Sequence, residues 1–296
     1  MKRRSFFSTL AVATTALALA SGAGLAQAAT TAPAIQPSTQ HSIDSAGKIH
    51  GHGFDVQAAK KAHANKPAPE LKFAAAPASY SLKQYTLSPG DQGPVGSCVT
   101  WATGYTGYGI LMNEAKAKGA PMAPMFIYSQ IVKEYNNGQD NGTYAAIALK
   151  MEKERGIDTQ SDYTQGTTNY KTLPTAAQKA NALHYKLGSY TDLTNSDRKA
   201  GIKAAISQGH PVAIGFSGRD NFDGLDSDNS YYDPSEGELA GWGHEVTVIG
   251  YDANGVTVQN SWGTGWGDGG FFTAPWSWIT GSDVDEVNSM NTLALS

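Results

Sequence analysis

The apolar pattern of this chain changes period once, and that change limits the folds open to it. Between residues 98 and 208 the pattern has helical spacing. After residue 210 it becomes short runs rich in β-branched residues. Trp101, Tyr105, Tyr108 and Met112 recur at i, i+4, i+7 and i+11, which predicts a helix from Cys98 to about Lys118. Ala102, Gly104, Gly107 and Gly109 crowd the same stretch. Such residues weaken a helix unless neighbours pack closely on them, so this helix is expected to be central and buried. Further helices are predicted near 124–135, with Pro124 in the first turn, near 143–155 ending at Gly156, and near 195–208 ending at Gly209. Strands are predicted at Pro211–Phe216, at His244–Tyr251 and at Val256–Asn260. The last two are joined by the turn Asp252–Gly255. Helices first and strands later predict an α+β protein with two lobes.

The first 78 residues read differently. Lys2, Arg3 and Arg4 precede a modestly apolar run from Phe6 to Ala20, and Ala26-Gln27-Ala28 is a small-x-small cleavage pattern. Residues 1–28 are therefore expected to be an export signal. Arg3-Arg4-Ser5-Phe6-Phe7 fits a twin-arginine signal and an ordinary one equally well. The run is too short and too weakly apolar to span a bilayer, and no later segment is longer, so a soluble mature protein is expected. Residues 29–78 are rich in Ala, Pro, Thr, His and Lys and read as a low-complexity pro-segment or linker that cannot fold alone. His50 and His52 inside it are expected to be solvated. The folded domain is expected over residues 79–296. The net charge of −4 gives no footprint for nucleic acid. The acidic stretch Asp223, Asp226, Asp228, Asp233 and Glu236 lacks the spacing of a calcium loop and reads as a solvated rim. No metal or cofactor is expected, and a monomer is the default.

The chain has one cysteine, Cys98. An exported protein with a single thiol cannot form an internal disulfide, so that thiol is intermolecular, buried and inert, or reactive. Gly90, Gly93, Pro94 and Gly96 make a turn-rich loop directly before the helix that Cys98 opens. A helix N-terminus stabilises a thiolate, so the position predicts a lowered thiol pKa. Three histidines of the domain are candidate bases: His184, His210 and His244. The hairpin places His244 and Asn260 near one end. Simple pairing across the turn leaves them three residues out of register, roughly 10 Å. A bulge or an asymmetric loop must close that gap before Asn260 can orient the imidazole.

QGPVGSC (92–98), GHEVTVIGYD (243–252) and NSWGTGWGDGGFF (260–272) stand in the order and form of the papain-like cysteine peptidases, whose Gly-Ser-Cys signature and downstream His and Asn are a general pattern. The chain resembles that family over about residues 80–275, and its single cysteine resembles the bacterial branch. Val99 departs from the pattern, because many members carry an aromatic residue there. The resemblance implies a papain-like fold with a helical lobe, a β-rich, barrel-like lobe and an active-site cleft between them. It implies Cys98 as nucleophile, His244 as its partner, Asn260 holding His244, and Gln92 in the oxyanion hole. It also implies Trp262 over the His–Asn bond, and Gly142 and Thr143 lining the cleft along the substrate. The implied activity is hydrolysis of peptide bonds in a protein or peptide substrate. Other acyl transfer, by an exopeptidase or a ligase, and a catalytically silent binding module remain the alternatives.

Overall fold

Pro124 illustrates how sequence sets the helices. It lacks an amide proton and stands at the first position of its helix, where that proton would have no partner. In the computed structural model, which describes residues 41–296, the chain begins with β1 (His41–Ile43) and β2 (Ile49–Gly51), a small antiparallel pair. The expected export signal at 1–28 lies outside the described residues. α1 (Val56–His63) follows, capped by the Asp55 carboxylate, which accepts from the Ala58 amide. After β3 (Tyr80–Ser81) come α2 (Cys98–Thr100), a π-helical segment Trp101–Gly107, and α3 (Tyr108–Glu114). α4 (Pro124–Tyr135), α5 (Ala145–Arg155) and α6 (Ala176–Ala182) complete the helical lobe. β4 (Tyr185–Asp192), α7 (Arg198–Ser207), β5 (Val212–Arg219), β6 (Leu239–Tyr251), β7 (Gly255–Gln259), β8 (Phe271–Pro275), α8 (Trp276–Thr280) and β9 (Val284–Leu295) follow.

The α+β expectation holds. The strands form a seven-stranded sheet in the order β4-β9-β5-β6-β7-β8, with β3 on β6, and its neighbouring strands run antiparallel. Two apolar cores match the two lobes. One gathers Phe216, Phe222, Trp242, Trp262, Trp266 and Phe272; the other gathers Cys98, Tyr108, Phe126, Tyr128 and Leu149.

The central helix differs from the regular one predicted. Its middle is π-helical and it ends at Glu114, before Lys118. The widened turn breaks the 3.6-residue phase, so Tyr105 is only partly buried while Trp101, Tyr108 and Met112 are enclosed. Its glycines do admit close neighbours: a Cβ at Gly104 would come within 2.7 Å of Ile157 Cδ1, and one at Gly109 within 2.6 Å of Leu87 Cδ1.

The expectation of solvated histidines in residues 29–78 is overturned. His50, His52 and His63 are buried, and residues 41–64 are ordered. The segment has too little apolar surface to fold alone, but it folds against the domain. Phe54, Val56 and Ala59 join the helical lobe's core. Beyond it, Phe73 packs near Leu193 and Gly201, and the Tyr251 hydroxyl donates to the Pro77 carbonyl.

Candidate active site

His244 lies on β6 and Asn260 just beyond β7. The hairpin register shifts between Val248 and Gly250, so Thr247 faces Gln259 and the pairing offset between His244 and Asn260 falls from three residues to two. An even offset puts both side chains on one face of the sheet, which an odd one would not. His244 Nε2 and Asn260 Oδ1 then meet at 2.7 Å, and Asn260 Oδ1 also accepts from the Ser261 amide. This leaves His244 Nδ1 free of hydrogen-bond partners. The Trp262 ring covers the imidazole, with centroids 4.9 Å apart.

Cys98 heads α2, which packs against β6. The preceding loop is tied to the β-lobe through Gln92. Its amide N–H donates to the Ser261 carbonyl, and its side-chain Oε1 accepts from Ser261 Oγ at 2.7 Å. With Oε1 so engaged, Nε2 donates to the carbonyls of Val95, at 2.9 Å, and Gly51, at 2.8 Å. Gly142 and Thr143 stand at the start of α5. Gly142 has φ +72°, and a Cβ there would run into the Gly53 carbonyl, so the position needs glycine on both counts.

Gly51 to Asp55 form a strap through this cleft. The Gly51 amide donates to Gly93 O, and the Gly51 carbonyl takes the Gln92 side-chain amide. Thr143 N donates to Gly53 O and Asp55 N donates to Thr143 O, both at 2.8 Å, so Phe54 pairs with Thr143 as a parallel strand would. Phe54 N donates to Gly243 O in the opposite lobe. On the cleft wall His50 stacks on Trp262 at 4.6 Å and His52 on Trp242 at 3.9 Å. His52 also meets His244 edge-on at 5.6 Å and bonds to Ser42 Oγ.

The strap changes the electrostatics expected of the site. A lowered thiol pKa was predicted for Cys98, whereas burial pushes the thiol up to about 12, and the nearby Glu245 carboxylate adds to the rise. Burial likewise drives His244 down to about 3, against the opposing hydrogen bond from Asn260. A helix of three residues before the π segment offers little dipole to counter full desolvation. Under the strap, both groups are therefore neutral at pH 7.

His184 and His210, the other two candidate bases, lie away from this group. His184 bonds the C-terminal Ser296, and His210 follows α7. The acidic stretch works locally: Asp226 caps the amides of Asp228 and Asn229, and Asp233 that of Ser235. Asp223 is drawn toward the strap, 4.0 Å from His52 Nε2. Among the described residues no helix is long and apolar enough to cross a membrane. Sequence reasoning missed the strap. Its available signals were the HGHGF glycine–histidine cluster and Asp55 before the amphipathic VQAAKKAH helix.

A cysteine at the head of one lobe's central helix, and an asparagine-held histidine on the other lobe's sheet, define a two-lobed thiol–imidazole peptidase. The model for "Papain family cysteine protease" matches residues 78–279, and the chain belongs to that family. It is 25% identical over 209 residues to "Uncharacterized peptidase C1-like protein L477" of Acanthamoeba polyphaga mimivirus, covering 67% of each. It is 27% identical to cysteine proteinase 3 of Entamoeba histolytica and to cathepsin K of Gallus gallus. These matches cover 67% of this chain but only 62% and 58% of those relatives. In fold it resembles xylellain, a cysteine protease from Xylella fastidiosa, with TM-score 0.66 and 21% identity over 77% of this chain and 91% of that one. It also resembles procathepsin L 3 of Tenebrio molitor, with TM-score 0.57 and 21% identity over 78% of this chain and 73% of that one.

Proposed function

We propose that this chain is an exported, single-cysteine endopeptidase of the bacterial type, held in a covered precursor form by residues 41–64. One observation carries the reading: the cleft already holds a peptide backbone, with a peptide carbonyl on the Gln92 amide and strand-like pairing to Thr143. A substrate peptide would use the same donors once the strap leaves. In the proposed reaction the Cys98 thiolate attacks the substrate carbonyl carbon, forming the C–S bond and an oxyanion. Gln92 Nε2 and the Cys98 amide stabilise that oxyanion. Its collapse breaks the C–N bond, and His244 gives its proton to the departing amine. Water then attacks the thioester, losing a proton to His244, and the thiolate departs. Asn260 orients the ring and Trp262 keeps water from their hydrogen bond. The signal-like residues 1–28 support export to the periplasm or the extracellular space, and the protein is expected to act as a monomer.

The decisive experiment is labelling of the processed protein by an epoxide selective for papain-like thiols. Wild type should be labelled at Cys98 and Cys98→Ala should not. Absence of label on folded, processed wild type would sink the peptidase reading. Cleavage inside peptides blocked at both ends would separate an endopeptidase from an exopeptidase, and hydrolysis without joining of fragments would separate it from a ligase. Gln92→Ala is expected to lower kcat by on the order of a hundredfold, the usual loss for one oxyanion donor. An unchanged kcat would remove Gln92 from that role.

A further inference from the structure

A chain of polar groups crosses the helical lobe behind the cleft, and no step of the proposed reaction touches it. Tyr128 stands on α4, and Asp140 in the loop between α4 and α5. The Tyr128 hydroxyl donates to Asp140 Oδ1 and accepts from the Gly142 amide at 3.1 Å. Asp140 also accepts from the Gly96 amide, which lies 3.2 Å from each carboxylate oxygen. The Gly142 carbonyl is held as well, by Asn136 Nδ2 at 2.8 Å. Hydrogen bonds therefore run unbroken from Gly96, just before the nucleophile, to Gly142, just before the Thr143 that pairs with the strap. Resting on the peptidase reading, we propose that Asp140 and Tyr128 are positioning residues, which fix the loop carrying the Cys98 amide at a set distance from the Thr143 backbone on which the substrate is laid.

Attack needs two alignments at once. Thr143 pairs the substrate backbone, and the scissile carbonyl must then fall on the Cys98 sulfur and its oxyanion donors. Gly96 and Asp140 are 44 positions apart in the chain, so no local geometry sets the spacing of these two segments. In the covered chain the strap shares the task. The Gly51 amide donates to Gly93 O, and His41 Nε2 bonds Pro94 O at 2.7 Å. Both ties leave with the strap. Among the described residues, the hydrogen bonds that still join residues 93–96 to anything beyond their own loop are then those of the Gly96 amide to Asp140. Gln92 binds the start of the loop to the β-lobe, and Asp140 binds its end to the helical lobe. The fit is close. Tyr128 is fully buried, and its hydroxyl is engaged both as donor and as acceptor. A Cβ at Gly96 would stand 3.0 Å from Asp140 Oδ1, so glycine there lets the carboxylate reach the backbone.

The test uses the processed protein, with active sites counted by epoxide labelling so that misfolded molecules do not enter kcat. On a peptide blocked at both ends, Asp140→Ala should lower kcat by on the order of ten- to a hundredfold and leave KM within about threefold, the pattern of lost alignment rather than lost binding. Tyr128→Phe keeps the ring, removes only the hydroxyl, and should lower kcat by at least about threefold. Asp140→Asn keeps an acceptor oxygen for both donors and should hold kcat within about threefold of wild type. Hydrolysis of p-nitrophenyl acetate, which has no backbone to pair with Thr143, should fall far less than peptide hydrolysis in Asp140→Ala and Tyr128→Phe. Should Asp140→Ala not fold, Tyr128→Phe decides. Unchanged kcat in the folded variants, a rise in KM alone, or equal losses on the ester and the peptide would each overturn the proposal and leave the peptidase reading intact. So would a loss in Asp140→Asn as large as that in Asp140→Ala. Absence of both cleavage and epoxide labelling in wild type overturns the peptidase reading, and this proposal with it.

Discussion

Replacing Gly53 with alanine is expected to expose the Cys98 thiol. A Cβ at Gly53 would collide with the carbonyl group and Cα of Gly96, all backbone atoms that cannot rotate aside. A Cβ at the neighbouring Gly51 would sit 2.5 Å from Val95 O, so the strap has no slack on either side. Gly53 is not in the left-handed region, so the contact alone, and not backbone strain, drives the effect. Moving the strap breaks the Thr143–Gly53 hydrogen bond and uncovers the sulfur. Burial holds the thiol at about 12 when covered. A solvated thiol titrates near 8.5, so its thiolate fraction at pH 7 rises from about one in 10⁵ to a few per cent. Alkylation by iodoacetamide at pH 7, followed by mass spectrometry, should be at least about a hundredfold faster in Gly53→Ala than in the parent chain. Equal rates in two proteins with the same thermal unfolding profile would show that the strap does not guard the thiol.

Much of this molecule was legible in the sequence because the informative features were local. Pro124 and Gly156 mark the limits of their helices through fixed backbone chemistry, and the helices near 124–135 and 198–207 lie where periodicity put them. The three-residue mismatch between His244 and Asn260 called for a bulge or an asymmetric loop, and a bulge appears at Val248–Gly250. The rest depends on distant partners. Residues 41–64 have the composition of a tail, and only the cleft they enter gives Phe54, His50 and His52 somewhere to be buried. β9 alternates poorly because its first half is covered on both faces. Glu245 interrupts an apolar strand, a visible oddity, but its neighbour Glu286 is 41 positions away and becomes adjacent only through Gly215. The lowered thiol pKa was inferred from a helix terminus, without the desolvation that a covering segment imposes.

Cys98→Ala should abolish peptide hydrolysis, lowering kcat/KM by at least about 10⁴-fold, since losing a covalent nucleophile removes the pathway itself. The pH dependence tests its partner more sharply. Under the strap, the thiol at about 12 and the imidazole at about 3 are both neutral across the physiological range. Uncovering reverses the cause of both shifts. Water lowers the thiol toward 8.5 and raises the imidazole toward 6.5, and each charge then favours the other, widening the window of the thiolate–imidazolium pair. As pH falls through the acid edge of that window the thiolate gains a proton and attack is lost. As pH rises through the alkaline edge His244 loses the proton it must give to the leaving amine. The uncovered protein should therefore show a bell-shaped kcat/KM, whereas the covered chain's alkylation should climb with pH without a plateau below pH 10. In uncovered His244→Ala the thiol has no cationic partner, so alkylation should lose its plateau on the acid side and rise with a midpoint near the ordinary thiol value of about 8.5. An acid-side plateau that persists in that variant would mean that another group stabilises the thiolate, and the assignment of His244 would fall.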